Sequence, residues 1–118
     1  FFKMEKTSLR PALTMPQEEM CSLADFFRIL GDPTRVQLLL LLSQNGYCVS
    51  ELAQSLNISQ SAVSHHLRAL KIKRLVVGRR VGKYVIYSLS DNHVSSIISQ
   101  GWEHIQESAL SRKFRKKK

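Results

Sequence analysis

The sequence of 118 residues is poor in cysteine, in long apolar runs and in acidic residues. Two cysteines are too few for the disulfide framework of a small secreted domain, and they suit the reducing cytoplasm, where we expect the protein to be located. The longest apolar run, 38–42, is far shorter than the roughly 20 residues that a transmembrane helix needs. We therefore expect neither a disulfide-stabilised domain nor a membrane partner.

The scarcity of acids gives the chain a strong positive charge. It has 9 acidic residues against 18 lysines and arginines, for a formal net charge of +9. Such an excess favours a polyanionic partner, with nucleic acid ahead of an anionic membrane surface. However, six of the seven residues in 112–118 are basic, so the remainder carries only +3 (9 − 6). Net charge alone is therefore a weak indication of a nucleic-acid partner, and the positions of the polar side chains are the stronger evidence.

Composition divides the chain into three parts. Residues 1–16 are interrupted by prolines and lack an apolar period, so we expect a flexible arm. Residues 17–108 have the length and apolar content of one folded domain. Residues 109–118 form a basic segment that we expect to be disordered. This tail either adds salt-dependent, sequence-independent affinity for nucleic acid or serves only solubility.

Periodicity and turn signals predict four helices, a β-hairpin and a last helix. Asp32 and Pro33 have the N-cap and first-turn preferences of a helix start. β-Branched and aromatic residues on both sides of a glycine turn indicate the hairpin. The predicted elements are helices at 17–30, from 33 to the Asn45-Gly46 turn, at 50–56 and at 59–73, strands at 75–80 and 83–89, and a helix from 91.

The stretch 51–70 meets the spacing requirements of a helix-turn-helix. Ala53 is small where the two helices cross, Asn57 tolerates the positive φ of the turn, and Val63 can pack back into the crossing. The second helix then buries an apolar stripe and leaves a polar face near its N-terminus, where side chains can contact base edges in the major groove. An ordinary solvated face is the alternative. The predicted DNA-contacting residues are Gln60, Ser61, Ser64, His65 and Arg68.

A basic hairpin tip follows this helix. Arg79, Arg80 and Lys83 cluster there, and a basic two-stranded wing can contact the DNA backbone or the minor groove. The alternative is a hairpin tip that serves solubility.

The last helix carries the pattern of a metal site: Asp91, His93, His104 and Glu107. The two histidines are eleven residues apart, so they share a helix face but lie roughly 16 Å apart along the axis. One chain cannot close a site with them, whereas two antiparallel copies can pair Asp91 and His93 of one protomer with His104 and Glu107 of the other. Four nitrogen and oxygen ligands suit Zn²⁺, with Co²⁺ as a second option. The alternative is a set of polar positions on an amphipathic helix.

An apolar stripe beside the ligands predicts a homodimer. Together with apolar residues of the first helix, it could bury an interface that stabilises a small domain. The stripe consists of Val94, Ile97, Ile98 and Ile105, and the first helix adds Leu23, Phe26 and Phe27.

Over roughly residues 20–108 the sequence resembles the ArsR/SmtB family of metal-sensing repressors, and its zinc-sensing members most closely. The resemblance rests on the four-ligand pattern and on the motifs Leu23-Ala24-Asp25-Phe26-Phe27, Leu30-Gly31-Asp32-Pro33-Thr34-Arg35, Cys48-Val49-Ser50-Glu51-Leu52-Ala53 and Ser61-Ala62-Val63-Ser64-His65-His66-Leu67. It implies a mainly α winged helix-turn-helix with a β-hairpin wing, which forms a homodimer through its first and last helices.

The resemblance also implies a mechanism. The metal-free dimer would bind a palindromic operator, and zinc at the two inter-protomer sites would lower DNA affinity and release metal-efflux or metal-sequestration genes. His104 could then hydrogen-bond, through its other ring nitrogen, to the backbone near Arg74.

The family's second site, at the third helix, is only partly matched. Cys48 and Glu51 occupy its positions, but Ser50 replaces a second thiol, residues 1–16 hold no cysteine or histidine, and Cys21 begins the first helix. We therefore expect Cys48 to be a small buried residue. Cys48, Glu51 and Cys21 remain candidates for a second metal or redox site.

Three other functions compete with the metal-responsive repressor. A redox- or thiol-responsive repressor of the same fold would use Cys21 and Cys48. A nucleoid-type binder would use the tail and the wing without operator preference. A metallohydrolase would need an open metal position and a substrate cleft, which the pattern does not offer, so we expect neither enzymatic activity nor a small-molecule substrate.

Overall fold

The computed structural model describes residues 15–117, with side chains for residues 15–110. This part of the chain forms five helices and one two-stranded antiparallel hairpin, in the predicted order. The predicted arm lies almost wholly outside the described residues. The elements are α1 (Gln17–Leu30), α2 (Pro33–Gln44), α3 (Val49–Leu56), α4 (Gln60–Ile72), β1 (Val76–Val81), β2 (Tyr84–Leu89) and α5 (His93–Lys117).

The apolar helix α2 lies at the centre of the fold. Asp32 caps it as predicted, because its side chain accepts a hydrogen bond of 3.0 Å from the backbone N–H of Arg35. Leu38 and Leu39 are fully buried in the core. The other four helices and β2 all pack against α2. The near-continuous apolar run of α2 is therefore explained by burial on several sides.

The helix-turn-helix is formed by α3 and α4. Asn57 ends α3 with φ 56° and ψ 47°, the left-handed conformation that the sequence predicted for this turn. The backbone N–H of Ile58 then donates to the carbonyl oxygen of Ala53 over 3.1 Å. Ala53 and Val63 are both buried, so the two helices pack closely at the predicted crossing.

The wing is a regular hairpin attached to the core at its base. Residues 76–81 pair in register with 84–89, and Gly82 takes φ +63° in the two-residue turn. Tyr47 and Tyr87 exchange backbone hydrogen bonds of 3.1 and 2.8 Å, which join the wing to the segment between α2 and α3. This bridge was not predicted from the sequence, since a single paired residue leaves no alternating pattern.

The last helix continues to Lys117, so the backbone of residues 109–117 is helical where the sequence analysis expected a disordered tail. The structure differs here for a physical reason. Alanine, leucine, lysine and arginine are strong helix formers, and adding residues to an existing helix avoids the cost of nucleation. Positive charge near a helix C-terminus also interacts favourably with the helix dipole.

None of the helices in residues 15–117 has both the length and the apolarity needed to cross a bilayer.

The left-handed turn at Asn57 gives a first testable prediction. Asn57→Ala should lower the free energy of unfolding by about 1 kcal/mol, because a Cβ without a local polar group disfavours positive φ. Asn57→Gly should stay close to the wild type, because glycine accepts this conformation. Urea denaturation monitored by circular dichroism measures both variants. Equal midpoints for alanine and glycine would contradict the assignment of strain to this turn.

Candidate nucleic-acid interface and metal-ligand residues

Helix α4 presents the five predicted DNA-contacting residues on one exposed face. Ser59 caps the helix, because its Oγ accepts a 3.1 Å hydrogen bond from the backbone N–H of Ala62. Val63, Leu67 and Leu70 are buried on the opposite side. The exposed residues are Gln60, Ser61, Ser64, His65 and Arg68. Their spacing places them along one side of the helix, with no role in the core of the chain.

The wing places its basic residues on more than one surface. Arg79 pairs with Ile86 and Arg80 with Val85 in the hairpin ladder. Successive residues of a strand point to opposite faces, so these two arginines do not share a face. Lys83 lies in the turn, with its Nζ 5.4 Å from the centroid of the Tyr84 ring. All three basic residues are exposed, but only a subset of them can face one side of a bound duplex.

An ion-pair cluster links α1 to the end of α4, and the sequence analysis missed it. Asp25 of α1 forms salt bridges with Lys73, the C-cap residue directly after α4, and with Arg28 of its own helix. A hydrogen bond from Lys73 has the largest effect on the pKa of the Asp25 carboxyl, and one from Arg28 adds to it. Together they hold that pKa below its usual value. The cluster therefore attaches the C-terminal end of the DNA-contacting helix to α1.

A second polar contact attaches the middle of α4 to α2. The Arg35 Nε donates to the His66 Nδ1 over 3.2 Å, and the Asp32 Oδ2 lies 4.0 Å from the same nitrogen. No role for His66 was predicted from the sequence. A signal was available, since His66 follows Val63 by three residues and precedes Leu70 by four, a spacing that places it on the buried side of the helix.

The four predicted metal ligands form two separate exposed pairs. At the start of α5, Asp91 Oδ1 accepts a 2.9 Å hydrogen bond from the His93 backbone N–H and lies 3.3 Å from His93 Nδ1. Three turns later, His104 and Glu107 share a shallow surface depression with Gln100 and Glu103. Within residues 15–110 no three potential ligands come together to hold a metal ion. The four residues thus do not meet at one site within a single chain, and their spacing along the helix had predicted this separation.

The predicted dimer stripe is divided between the core and the surface. Val94 is buried, and Ile98 and Phe26 are half-buried against the core, so these three residues pack within the chain itself. Their position on the side facing the domain explains this difference from the expected interface. Leu23 is exposed but does not line the apolar groove of about 380 Å³ that the other exposed members of the stripe border; this groove also includes Trp102, a residue not predicted from the sequence. Its lining residues include Phe27, Leu40, Ile97, Trp102 and Ile105.

Two of the three residues of the candidate second site, Cys48 and Glu51, make hydrogen bonds at the start of α3. Cys48 is only 8% exposed, as expected for a small buried residue, and its Sγ lies 3.1 Å from the Ser50 hydroxyl. Its backbone N–H donates to the Glu51 carboxylate over 2.9 Å, so that carboxylate caps α3. Cys21 is exposed on α1, and both cysteines are free thiols.

Comparison with known proteins identifies the fold and its relatives. The family described as "Bacterial regulatory protein, arsR family" matches residues 32–77. The chain is 45% identical over 94 residues to a transcriptional repressor SmtB homolog from Synechocystis sp., a match that covers 80% of this chain and 71% of that protein. The chain belongs to the ArsR/SmtB family. It is also 35% identical over 96 residues to a cadmium resistance transcriptional regulatory protein CadC homolog from Staphylococcus aureus, covering 80% of this chain and 79% of that protein.

A solved structure supports the same conclusion for this ArsR/SmtB protein. The homodimeric winged helix-turn-helix DNA-binding domain of a Mycobacterium bovis protein matches it with a TM-score of 0.71 and 26% identity, over 76% of this chain and 83% of that one. The winged helix-turn-helix fold predicted from the sequence is therefore confirmed. Members of the family are DNA-binding transcriptional regulators, so the expectation that the chain is not an enzyme is confirmed too.

The Asp25 cluster gives a prediction with a defined pH dependence. Because the pKa of Asp25 is lowered in the folded state, its contribution to stability is present above the unfolded value of about 4 and is lost as the pH falls through the folded value. Asp25→Asn should therefore be less stable than the wild type at pH 7, and the two should converge in acid, once the pH falls below the lowered folded-state pKa of the Asp25 carboxyl. Thermal unfolding across this range measures the difference. Glu18→Gln removes an equal charge from α1 and is the control; parallel curves for Asp25→Asn and the wild type would contradict the prediction.

Proposed function

We propose that this protein is a homodimeric, metal-responsive transcriptional repressor. In this proposal the metal-free dimer binds a palindromic operator, and zinc shared between the two α5 helices lowers the affinity for DNA. The observation that carries the proposal is the division of the ligand pattern into two exposed pairs, Asp91 with His93 where α5 begins and His104 with Glu107 further along it. Two half-sites on one helix are useful only when a second copy supplies the missing half.

Operator recognition is supported by the surface of α4. Five polar side chains lie on one exposed face of a helix whose opposite face is buried, and the basic wing follows directly in the chain. Short or forked hydrogen-bonding groups near a helix N-terminus suit base edges in the major groove. Arginines on the wing suit phosphates or the minor groove.

Dimerisation is supported by the apolar groove between α1, α2 and α5. Phe27 and Trp102 are more than half exposed at its edges, at 52% and 58%. Ile105 is equally exposed one turn further along α5. A continuous apolar surface of this kind on a small domain indicates a protein interface. The M. bovis neighbour is a homodimer, and we propose the same state here, with contacts through α1 and α5.

The donor set fits zinc. Imidazole nitrogen and carboxylate oxygen are common Zn²⁺ ligands, and two of each complete a tetrahedral shell without a thiolate. Co²⁺ accepts the same ligands. His93 is 87% exposed, so its ring is free to turn toward a partner helix. The name of the CadC homolog links that relative to cadmium resistance, which supports a metal as the regulatory ligand in this chain as well.

Bound metal would supply a cross-link between protomers. The protein's own part of the mechanism is to connect α5 to α4. His104 has a second ring nitrogen that can donate a hydrogen bond, and histidine ligands usually use it in this way. We propose that its acceptor is the backbone near Arg74, a residue with φ 61° that follows the C-cap of α4. Release of the operator would follow from the changed orientation of α4.

Fluorescence anisotropy tests the metal response. A duplex selected by the protein from a random pool is titrated with and without one zinc per protomer, for the wild type, His104→Ala and the control Gln106→Ala. Zinc should weaken binding of the wild type and the control by about 5- to 150-fold, the usual range of allosteric coupling, and should leave His104→Ala nearly unaffected.

If zinc changes none of the three, the metal part of the proposal is wrong. An effect of oxidant in place of zinc would then favour the redox-responsive repressor that uses Cys21 and Cys48. Absence of any preference for the selected duplex over random DNA would favour the nucleoid-type binder.

The assigned DNA contacts give a separate prediction. Arg68→Ala should lower affinity for the selected duplex by about 1–3 kcal/mol and leave random DNA nearly unchanged, as expected for a base contact. Arg79→Ala should weaken binding to both duplexes and reduce the salt-dependence slope by about 1, as expected for a phosphate contact. Titrations at several salt concentrations measure both quantities. If the two variants behave alike, helix and wing do not have separate roles.

A further inference from the structure

His66 faces the interior of the domain, although His65, directly before it in the sequence, faces the solvent. His65 is exposed on the predicted DNA-contacting side, whereas the side chain of His66 is only 18% exposed and points toward the start of α2. The two rings meet edge to face, with centroids 5.6 Å apart. One histidine of the pair is thus available to DNA and the other to the rest of the fold.

The chemistry of the contact determines the tautomer of the neutral ring. Arg35 has only donors, so its Nε bond to His66 Nδ1 requires a lone pair on that nitrogen. The neutral ring must therefore carry its proton on Nε2. Asp32 lies beside both residues of the contact. Its carboxylate accepts a hydrogen bond from the Arg35 backbone N–H, and its Oδ2 is 4.0 Å from the His66 Nδ1. Within residues 15–110, the titratable or charged groups that contact this ring are Arg35, Asp32 and His65.

We propose that the Arg35–His66 hydrogen bond is a positioning contact that sets the rotation of α4 about its own axis. The other contacts of the buried side are apolar, through Val63, Leu67 and Leu70, and apolar contacts have little directional preference. A charge-assisted hydrogen bond is directional. His66 is flanked by His65 and lies two residues from both Ser64 and Arg68, so a small rotation at His66 would displace the residues assigned to base contacts.

The proposed effect falls on specificity rather than on general DNA affinity. Base contacts need accurate placement of the donor and acceptor groups, whereas binding to random DNA depends mainly on positive charge near phosphates. Breaking the Arg35–His66 bond removes no phosphate contact assigned above. This inference rests on the proposed role of α4 as the DNA-contacting helix. The preference of the wild type for the selected duplex tests that role, and the His66 variants test the inference.

The experiment compares two substitutions of His66 that differ in the acceptor. His66→Asn keeps an oxygen close to the position of Nδ1, and His66→Phe keeps a ring without any acceptor. We expect His66→Phe to weaken binding to the selected duplex about tenfold or more, as for the loss of a hydrogen bond to a charged group, while binding to random DNA changes by less than about twofold. His66→Asn should stay within about threefold of the wild type for both duplexes.

Two further measurements identify the hydrogen-bond partner and the tautomer of His66. Arg35→Met should reproduce the loss of His66→Phe, and the double variant should lose little more than either single variant, as expected for two residues of one contact. Imidazole ¹⁵N spectra of the free protein should show His66 Nδ1 without a proton and Nε2 with one. Thermal melts of every variant establish that it is folded.

Several results would overturn the proposal. Equal losses for selected and random duplexes would assign His66 to general stability. If His66→Asn binds the selected duplex as weakly as His66→Phe does, the hydrogen-bond acceptor is irrelevant. If the losses of affinity add in the double variant, Arg35 and His66 do not act through one contact. If His66→Phe fails to fold, His66→Asn and Arg35→Met decide the question by the same comparison. A wild type without preference for the selected duplex would instead refute the proposed function itself.

Discussion

Burial of α2 is the constraint on which the rest of the structure depends. Leu38 and Leu39 are completely enclosed, and every other helix contacts the helix that carries them. Since burial of apolar side chains is the main favourable term in folding, a domain of this size has few alternatives to surrounding its most apolar helix. The position of α4, and of the polar face that it exposes, follows from packing on this centre.

The same constraint leaves apolar surface uncovered. One layer of helices encloses α2, and the groove bordered by Phe27 and Trp102 has no further element of the described chain to cover it. The exposed ligand pairs of α5 lie on the helix that borders this groove. A second copy at this face would cover apolar side chains and complete the ligand sets at once. Dimerisation and metal binding would therefore depend on the same face of the domain.

Polar contacts determine how α4 is held. Lys73 connects its C-terminal end to Asp25 of α1, and His66 connects its middle to Arg35 at the start of α2. Apolar packing selects the face that α4 buries, whereas these directional contacts restrict its rotation and tilt. Because α1 borders the proposed dimer groove, the Asp25–Lys73 pair also provides a direct link between that groove and the DNA-contacting helix.

Local sequence determined the elements, the Asn57 turn, the Asp32 cap and the polar face of α4, because periodicity, capping and positive φ are decided by neighbouring residues. It also determined that His93 and His104 cannot share a site within one chain, since helix rise alone separates them. Tertiary structure decided the rest. Asp25 and its partner Lys73 are 48 residues apart in the chain, and His66 and its partner Arg35 are 31 apart, so only packing could bring each pair together. The burial of Val94 and the exposure of Trp102 on the same helix were likewise set by which side of α5 faces α2.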